Sequence, residues 1–414
     1  MNRTQPLQPL RIVVMAGGTG GHVFPALAVA DELRARGVEV SWLGTRLGLE
    51  AEVVPGAGFP IDYIQVAGLR GKGVISLLTA PLKLLSALYQ SLQILRRRNP
   101  AAVLGMGGYV TGPGGLAAWL SRRPLLIHEQ NARAGLTNRL LRPFAKRVME
   151  AFPNTFESGT RVLHTGNPLR KAFVEKSHLE KAVGENAATD SRDVHKCDVH
   201  KCEVHKREIH KPLHLLVVGG SLGAVYLNSV VPATLAKLAA ADRPEVWHQT
   251  GKQNFEATEA AYVAAGVMTA SVKLAPFIDD MTEAYAWADV VLCRAGAMTV
   301  AELAAAAVPS ILVPFPYAVD DHQTANAHYL AAQQAAILIQ QSQLNEDYLG
   351  QVLAGLTPAK LQSMSEAAHK LALLDATAQV VDQCLAVAQA TQPAGRQSGQ
   401  KPGQKPGQQG GSHG

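Results

Sequence analysis

Ile12-Val13-Val14-Met15-Ala16-Gly17-Gly18-Thr19-Gly20-Gly21-His22-Val23-Phe24-Pro25 is the stretch whose reading decides the fold. A short β-branched and apolar run ends in four glycines between Gly17 and Gly21. Pro25 then precedes a helical pattern through Ala26, Leu27, Val29, Ala30 and Leu33, with Gly37 as the expected stop. The pattern predicts strand, tight loop and helix. Glycine lets the chain turn with positive φ and lets a ligand approach without meeting a Cβ. Amides at a helix start, together with the helix dipole, favour an anion. The loop is therefore a candidate diphosphate site with His22 at its rim. A plain sharp turn is the competing reading.

The design recurs. Leu213 to Val218 is an apolar run that enters Gly219-Gly220-Ser221-Leu222-Gly223, followed by a helical run from Ala224. Two such units predict an α/β chain with two similar domains facing each other. Neither loop carries a common nucleotide fingerprint. The third glycine of G-x-G-x-x-G is missing after Gly18 and Gly20, and Gly44-Thr45 stands where a dinucleotide site would place an acid. No lysine follows as in a P-loop.

Composition narrows the function. A length of 414 residues suits two domains with an appendage, and 47% hydrophobic residues suffice for buried cores. The formal net charge of +6 favours anionic ligands or an anionic membrane surface and is too weak to argue for nucleic acid. Aromatic residues are only 5%, which leaves base-stacking recognition unsupported. Cys197, Cys202, Cys293 and Cys384 have no disulfide-framework spacing. There is no secretory pattern at the start. No uncharged apolar run reaches the roughly 18–20 residues that span a bilayer. The expected location is the cytosol or the cytosolic face of a membrane.

Along the first half, strands are expected at Val38–Leu43, Ile61–Val66, Ala101–Gly105, Leu125–Ile127, Arg147–Ala151 and Val162–Thr165. Between them, Val74 to Leu95 is a helical run whose Leu78, Leu82, Leu85, Tyr89, Leu92 and Leu95 keep three- and four-residue spacing, closed by Arg96-Arg97-Arg98. Such a stripe faces either a core or lipid headgroups. Leu125–Ile127 delivers His128-Glu129-Gln130-Asn131 at its C-terminal end, where open α/β sheets place ligands. Asp193 to Lys211 is a five-residue repeat of the Asp-Val-His-Lys-Cys type, a period that fits neither helix nor strand. It reads as a mobile low-complexity insertion rather than a zinc site, because its spacing departs from the usual zinc patterns.

The second half alternates again. Ala288–Cys293 is a strand that runs into Arg294-Ala295-Gly296-Ala297-Met298-Thr299, with Glu302 one turn into the next helix. An acid there either takes hydrogen bonds from ribose hydroxyls or compensates the dipole. Ile311–Pro314 opens a loop with Asp320, Asp321, His322, Gln323 and Asn326, and helices from about Leu344 to Ala390 finish the fold. The end from Gln392 carries no large apolar residue and is expected to be disordered.

Eight pieces in order carry a resemblance. They are Gly17 to His22, Gly107-Gly108-Tyr109, His128 to Asn131, Gly166-Asn167-Pro168-Leu169-Arg170, Gly219 to Ala224, Phe277-Ile278-Asp279-Asp280-Met281, Arg294 to Glu302 and Val313-Pro314-Phe315-Pro316. Over Arg11 to about Ala390 the chain resembles the MurG family, bacterial peripheral-membrane transferases that add N-acetylglucosamine to lipid I to give lipid II. The departures are the His-Lys-Cys insertion and the C-terminal tail, and neither touches a motif.

The resemblance implies the GT-B architecture, two Rossmann-like parallel-sheet domains with an interdomain cleft. Residues 1–167 would form the acceptor and membrane-facing domain. Residues 168–212 would be hinge plus insertion, residues 213–391 the UDP-sugar domain, and residues 392–414 a tail. It also implies that uracil pairs with the backbone of Ile278 and that Glu302 holds the ribose. Ser221 and Ala297-Met298-Thr299, running on through Val300 and Ala301, would face the diphosphate, and Gln323 would read the sugar. Thr19, Gly20, Gly21, Asn131 and Arg170 would complete the site. The Val74–Leu95 stripe, with Trp119, Lys146 and Arg147, would match the family's membrane-facing patch.

The implied reaction is inverting displacement by the 4-hydroxyl of the muramoyl sugar. A base of pKa near the working pH suits that step, so His22 is the first candidate and Glu129 the second. The sequence contains no Asp-x-Asp, so a metal-independent reaction without cofactor is expected. The implied partners are UDP-N-acetylglucosamine, lipid I, an anionic membrane surface and other cell-wall synthesis proteins, with no nucleic acid. The implied place is the cytoplasmic face of the bacterial inner membrane. Two rivals are a UDP-N-acetylglucosamine 2-epimerase-like enzyme and a non-catalytic UDP-sugar-binding partner.

Overall fold

The computed structural model describes residues 9–66, 74–171, 173–174, 212–220 and 223–391. The calls on Ser221, on the repeat at 193–211 and on the tail lie outside the described residues.

The first lobe holds a seven-stranded parallel sheet made of β1 (Arg11–Met15), β2 (Glu39–Gly44), β3 (Ile61–Tyr63), β4 (Ala102–Gly105), β5 (Leu125–Glu129), β6 (Arg147–Glu150) and β7 (Val162–His164). Their order is β3-β2-β1-β4-β5-β6-β7. The second lobe holds a six-stranded parallel sheet made of β8 (His214–Val218), β9 (Glu245–Gln249), β10 (Val272–Ala275), β11 (Val290–Cys293), β12 (Ser310–Leu312) and β13 (Ala336–Leu338). Their order is β10-β9-β8-β11-β12-β13. In both sheets the first strand in sequence lies centrally, so the order reverses beside it: β1 pairs with β2 and β4, and β8 with β9 and β11. Open α/β sheets bind ligands at such a switch point, beyond the carboxyl ends of the strands. Both glycine loops sit there.

Side-chain alternation explains the layering. On β1, Ile12 and Val14 enter one buried cluster, and Val13 and Met15 the other. On β8, Leu216 and Val218 face one cluster, and Leu215 and Val217 its opposite. Strands buried on both faces read as continuous apolar runs, as these do.

Three local expectations change. The first helix, α1, spans Gly20–Ala35 and includes Pro25, so His22 lies in its first turn rather than on a loop. Thr19 is extended, and its carbonyl accepts from the amides of His22 and Val23, which starts the helix early. The segment expected as a loop after Asp321 is helical from His322 to Ala331. Strand β13, too short to show a period, was not anticipated. The remaining helices of the first lobe are α2 (Glu50–Gly56), α3 (Val74–Arg98), α4 (Thr111–Leu120) and α5 (Leu136–Leu141). The second lobe continues with α6 (Val225–Lys237), α7 (Phe255–Ala264), α8 (Met281–Trp287), α9 (Ala297–Ala305), α10 (His322–Ala331), α11 (Glu346–Ala354) and α12 (Pro358–Lys370), and α13 (Ala376–Thr391) follows.

Helix α13 does not pack where the 213–391 unit placed it. Its Val380, Val381, Cys384, Val387 and Ala388 enter the core beside β1 and α1, and Thr391 Oγ1 donates to Ala101 O at 3.0 Å. The positions 380, 381, 384, 387 and 388 form one helical face. Such a face needs an apolar surface and does not say which lobe supplies it, so the chain's end returns to the first sheet. Phe173 crosses in the other direction, its ring 5.9 Å from that of Tyr285.

The α3 stripe divides. Ala87, Ser91, Ile94 and Leu95 are buried, whereas Leu82, Leu85 and Tyr89 are 70%, 62% and 60% exposed. Trp119 and Leu120 of α4, and Leu136 and Leu140 of α5, are also exposed, and Trp119 packs its ring 4.8 Å from Phe144. Arg97 and Arg98 pair with Asp62 of β3, so the basic end of α3 is anchored rather than simply solvated.

Candidate active site

The first-lobe wall is built from two glycine turns in contact. Gly107 and Gly108 have φ of +98° and +85°. A Cβ on Gly108 would lie 2.2 Å from Gly17 O, and one on Gly107 would lie 2.5 Å from Cδ2 of His22. Only glycine allows both the conformation and the approach. Beneath the first turn lies Glu50, fully buried. Its Oε2 accepts from Gly18 N at 2.9 Å, and its Oε1 accepts from Thr45 N at 2.9 Å and Thr45 Oγ1 at 2.7 Å. A buried carboxylate is tolerable only with such partners. Sequence reasoning missed Glu50, because its partners are set by the fold and not by spacing.

Thr19, Gly20, Gly21 and His22 lie at the start of α1. His22 Nδ1 is 3.4 Å from Thr19 Oγ1. Burial lowers the His22 pKa below its ordinary 6.5; Glu129, the Gly17 backbone and Glu50 oppose this, while His322 from the second lobe adds to it. The ring is neutral at neutral pH and able to take a proton.

Glu129, the second candidate base, is differently placed. Its Oε1 accepts from Asn131 N at 3.1 Å and Asn131 Nδ2 at 3.3 Å, and its Oε2 from Gly135 N at 3.0 Å and Asn138 Nδ2 at 2.9 Å. With four donors on a buried carboxylate, it shapes the turn after β5. His128 and Gln130 are likewise internal braces. His128 Nε2 meets Gly166 O at 2.9 Å, Gln130 Nε2 donates to Met106 O at 3.0 Å, and burial pushes His128 down to about 4. Of the four-residue run, Asn131 is the one that reaches the facing lobe.

The second-lobe wall is the start of α9. Gly296 precedes it in extended conformation, and Val300 N is the first amide to turn back, onto Gly296 O. The amides of Ala297, Met298 and Thr299 therefore have no intrahelical partner and form the positive end of the helix dipole. Val300 is buried in the core, Ala301 is half-buried, and Glu302 projects toward the hinge. Its Oε2 accepts from the Tyr285 hydroxyl at 3.4 Å, and its Oε1 lies 3.7 Å from Arg170 Nη2. Burial raises the Glu302 carboxyl to about 7, opposed by Arg170 and Tyr285. Gln323, at the start of α10, accepts from Phe315 N at 2.9 Å. Ile278 is buried and donates its amide to Gln249 Oε1 at 3.1 Å.

Side chains stitch the walls together. Asn326, fully buried, accepts from Ala132 N at 2.8 Å and donates to Asn131 Oδ1 and Ala295 O, both at 3.2 Å. Asn167 donates to Gln130 O at 3.0 Å and Ala297 O at 3.3 Å. Arg133 donates to Asp320 O at 2.8 Å, across 187 residues of chain. Of the expected site residues, Asn131 meets Asn326 of α10, Arg170 approaches Glu302 of α9, and His22 lies near enough to His322 to feel its charge, whereas Ile278 is tied to Gln249 within the second lobe.

Glu50→Gln is expected to lower stability by about 2–3 kcal/mol, because its amide nitrogen must point a donor at the N–H of Gly18 or Thr45. Urea unfolding checks this, and an unchanged midpoint at constant slope would show that Glu50 does not carry the turn.

The Glycosyltransferase family 28 N-terminal domain matches residues 12–150, and the Glycosyltransferase family 28 C-terminal domain matches residues 214–380. A protein of Nitrosococcus oceani is 52% identical over 381 residues, covering 92% of this chain and 99% of its own. One of Stutzerimonas stutzeri is 52% identical over 380 residues, covering 91% and 98%. Both are named UDP-N-acetylglucosamine--N-acetylmuramyl-(pentapeptide) pyrophosphoryl-undecaprenol N-acetylglucosamine transferase. The crystal structure of Acinetobacter baumannii MurG is 40% identical, with a TM-score of 0.72 over 91% of this chain and 99% of that one. The chain belongs to glycosyltransferase family 28 and, within it, to the MurG family.

Proposed function

We propose that this chain transfers N-acetylglucosamine from UDP-N-acetylglucosamine to the 4-hydroxyl of the muramoyl sugar of lipid I, giving lipid II with inversion at the anomeric carbon. The observation that carries the reading is the pairing of a neutral His22 on one cleft wall with the α9 amides on the other, in a chain half-identical to transferases named for this reaction.

The uridine lies along the main chain at Ile278, whose amide is held in place by Gln249. The ribose hydroxyls donate to Glu302, whose desolvated carboxyl gains their hydrogen bonds. The diphosphate faces the amides of Ala297, Met298 and Thr299, and Arg170 approaches from the hinge. As the bond to the anomeric carbon breaks, charge builds on the β-phosphate, and preorganised amides at a helix start stabilise it. Gln323 and Asn131 orient the sugar. His22 takes the proton from the attacking 4-hydroxyl, and Thr19, Gly20 and Gly21 present the acceptor's diphosphate with main-chain donors. Glu129 acts through Asn131 and through its charge near His22 rather than on substrate.

The exposed apolar face of α3, α4 and α5 rests on the cytoplasmic surface of the inner membrane, its Leu82, Leu85, Tyr89 and Trp119 flanked in sequence by Arg122, Arg123, Lys146 and Arg147. Among the described residues no helix is long and apolar enough to cross a membrane. Patches of this kind mark interaction surfaces.

Labelled UDP-N-acetylglucosamine with lipid I is expected to give labelled lipid II and free UDP. Formation of an epimer from the donor alone, or binding without transfer, would contradict the reading. His22→Ala is expected to lower kcat by roughly a thousandfold while leaving the donor KM within about threefold. In the wild type, kcat/KM falls as pH drops through a value below 6.5, since protonating His22 removes the base. Near-normal turnover of His22→Ala would exclude it. Leu85→Asp with Trp119→Asp is expected to abolish sedimentation with vesicles containing anionic lipid, and unchanged sedimentation would place the membrane contact elsewhere.

A further inference from the structure

Strand β9 lies between β8 and β10. Its last residue, Gln249, therefore stands between the turn that follows β8 and the turn that follows β10. Gln249 is buried. Its Oε1 accepts from Ile278 N at 3.1 Å, and its Nε2 donates to Gly220 O at 3.1 Å. Gly220 O also accepts from Gly223 N at 3.0 Å, so the amide grips the carbonyl that closes the glycine turn.

The surroundings hold this side chain in one place. A Cβ on Gly223 would meet Thr250 O at 2.1 Å, so the turn rests directly on the end of β9. Thr250 O accepts from Asn228 Nδ2 at 2.9 Å, and Asn228 Oδ1 lies 3.0 Å from His248 Nε2. His248 Nδ1 is 2.9 Å from the Tyr262 hydroxyl. The end of β9 is thus a packed polar network, and a single side chain from it reaches both loops.

We infer that Gln249 is a positioning residue for the nucleotide: it sets the separation between the loop that meets the nucleobase and the turn that faces the diphosphate. The inference rests on the donor site proposed above. An amide is suited to this role because it has one acceptor and one donor end. A carboxylate of the same length could accept from Ile278 N and could not donate to Gly220 O. An aliphatic side chain could do neither.

That chemistry separates the two halves by experiment. Uridine and UDP binding are titrated for the wild-type chain, Gln249→Glu and Gln249→Leu, with thermal melting to confirm folding. Gln249→Glu is expected to bind uridine within about threefold of wild type and to weaken UDP by roughly tenfold. Gln249→Leu is expected to weaken both. In turnover, the donor KM rises for both variants while kcat at saturation stays within about threefold. Wild-type affinity for UDP in either folded variant would overturn the inference and leave the donor site standing. Failure of the wild-type chain to bind UDP would overturn both. Should Gln249→Leu fail to fold, the uridine–UDP split in Gln249→Glu decides alone.

Discussion

The buried carboxylate of Glu50 is the contact on which the first-lobe wall depends. A glycine turn has no side chains with which to pack, and its amides must be aimed by something outside it. Glu50 supplies acceptors to Gly18 and Thr45 at once and ties the end of β1 to the end of β2. The turn then lies against Gly108, and α1 starts early enough to carry His22 into the cleft. The second lobe solves the same problem with an amide, Gln249, between Gly220 and Ile278. In both lobes a glycine turn is held by one buried polar side chain from a neighbouring element.

The cleft separates side chains that shape from side chains that face the ligand. His128 and Asn167 bond main-chain carbonyls, and Glu129 and Gln130 divide their hydrogen bonds between main-chain groups and neighbouring buried side chains. They are strongly buried, and burial holds His128 neutral by pushing it down to about 4. His22, Asn131, Arg170 and Glu302 keep atoms toward the gap. Glu302 remains partly desolvated with a cation 3.7 Å away, and its carboxyl is raised to about 7. Buried polar networks of the first kind fix geometry, and groups of the second kind are those to which the proposed function gives roles toward substrate.

Much of the fold was legible because parallel strands buried on both faces are continuous apolar runs, and each ends in glycine or polar residues. Ile12–Met15 and Leu213–Val218 could be read as strands, and His128 to Asn131 as the polar C-terminal end of another. The GT-B cleft and the transferase reading came from the ordered motifs. What sequence hid was long-range. Helix α13 shows an apolar face and does not reveal that the first lobe receives it. Glu50, Gln249 and Asn326 look like ordinary surface residues until the fold surrounds them. The start of α10 was hidden by Asp320 and Asp321, both in the left-handed region, with φ of 54° and 50°. Asp tolerates that conformation better than most residues and so reads as loop.

A crystal structure of the chain with UDP-N-acetylglucosamine tests the central claim most directly. The account predicts diphosphate oxygens within hydrogen-bond distance of the Ala297, Met298 and Thr299 amides, with the anomeric carbon turned toward His22 across the cleft. A nucleotide seated on the first lobe, or a sugar directed away from His22, would contradict it.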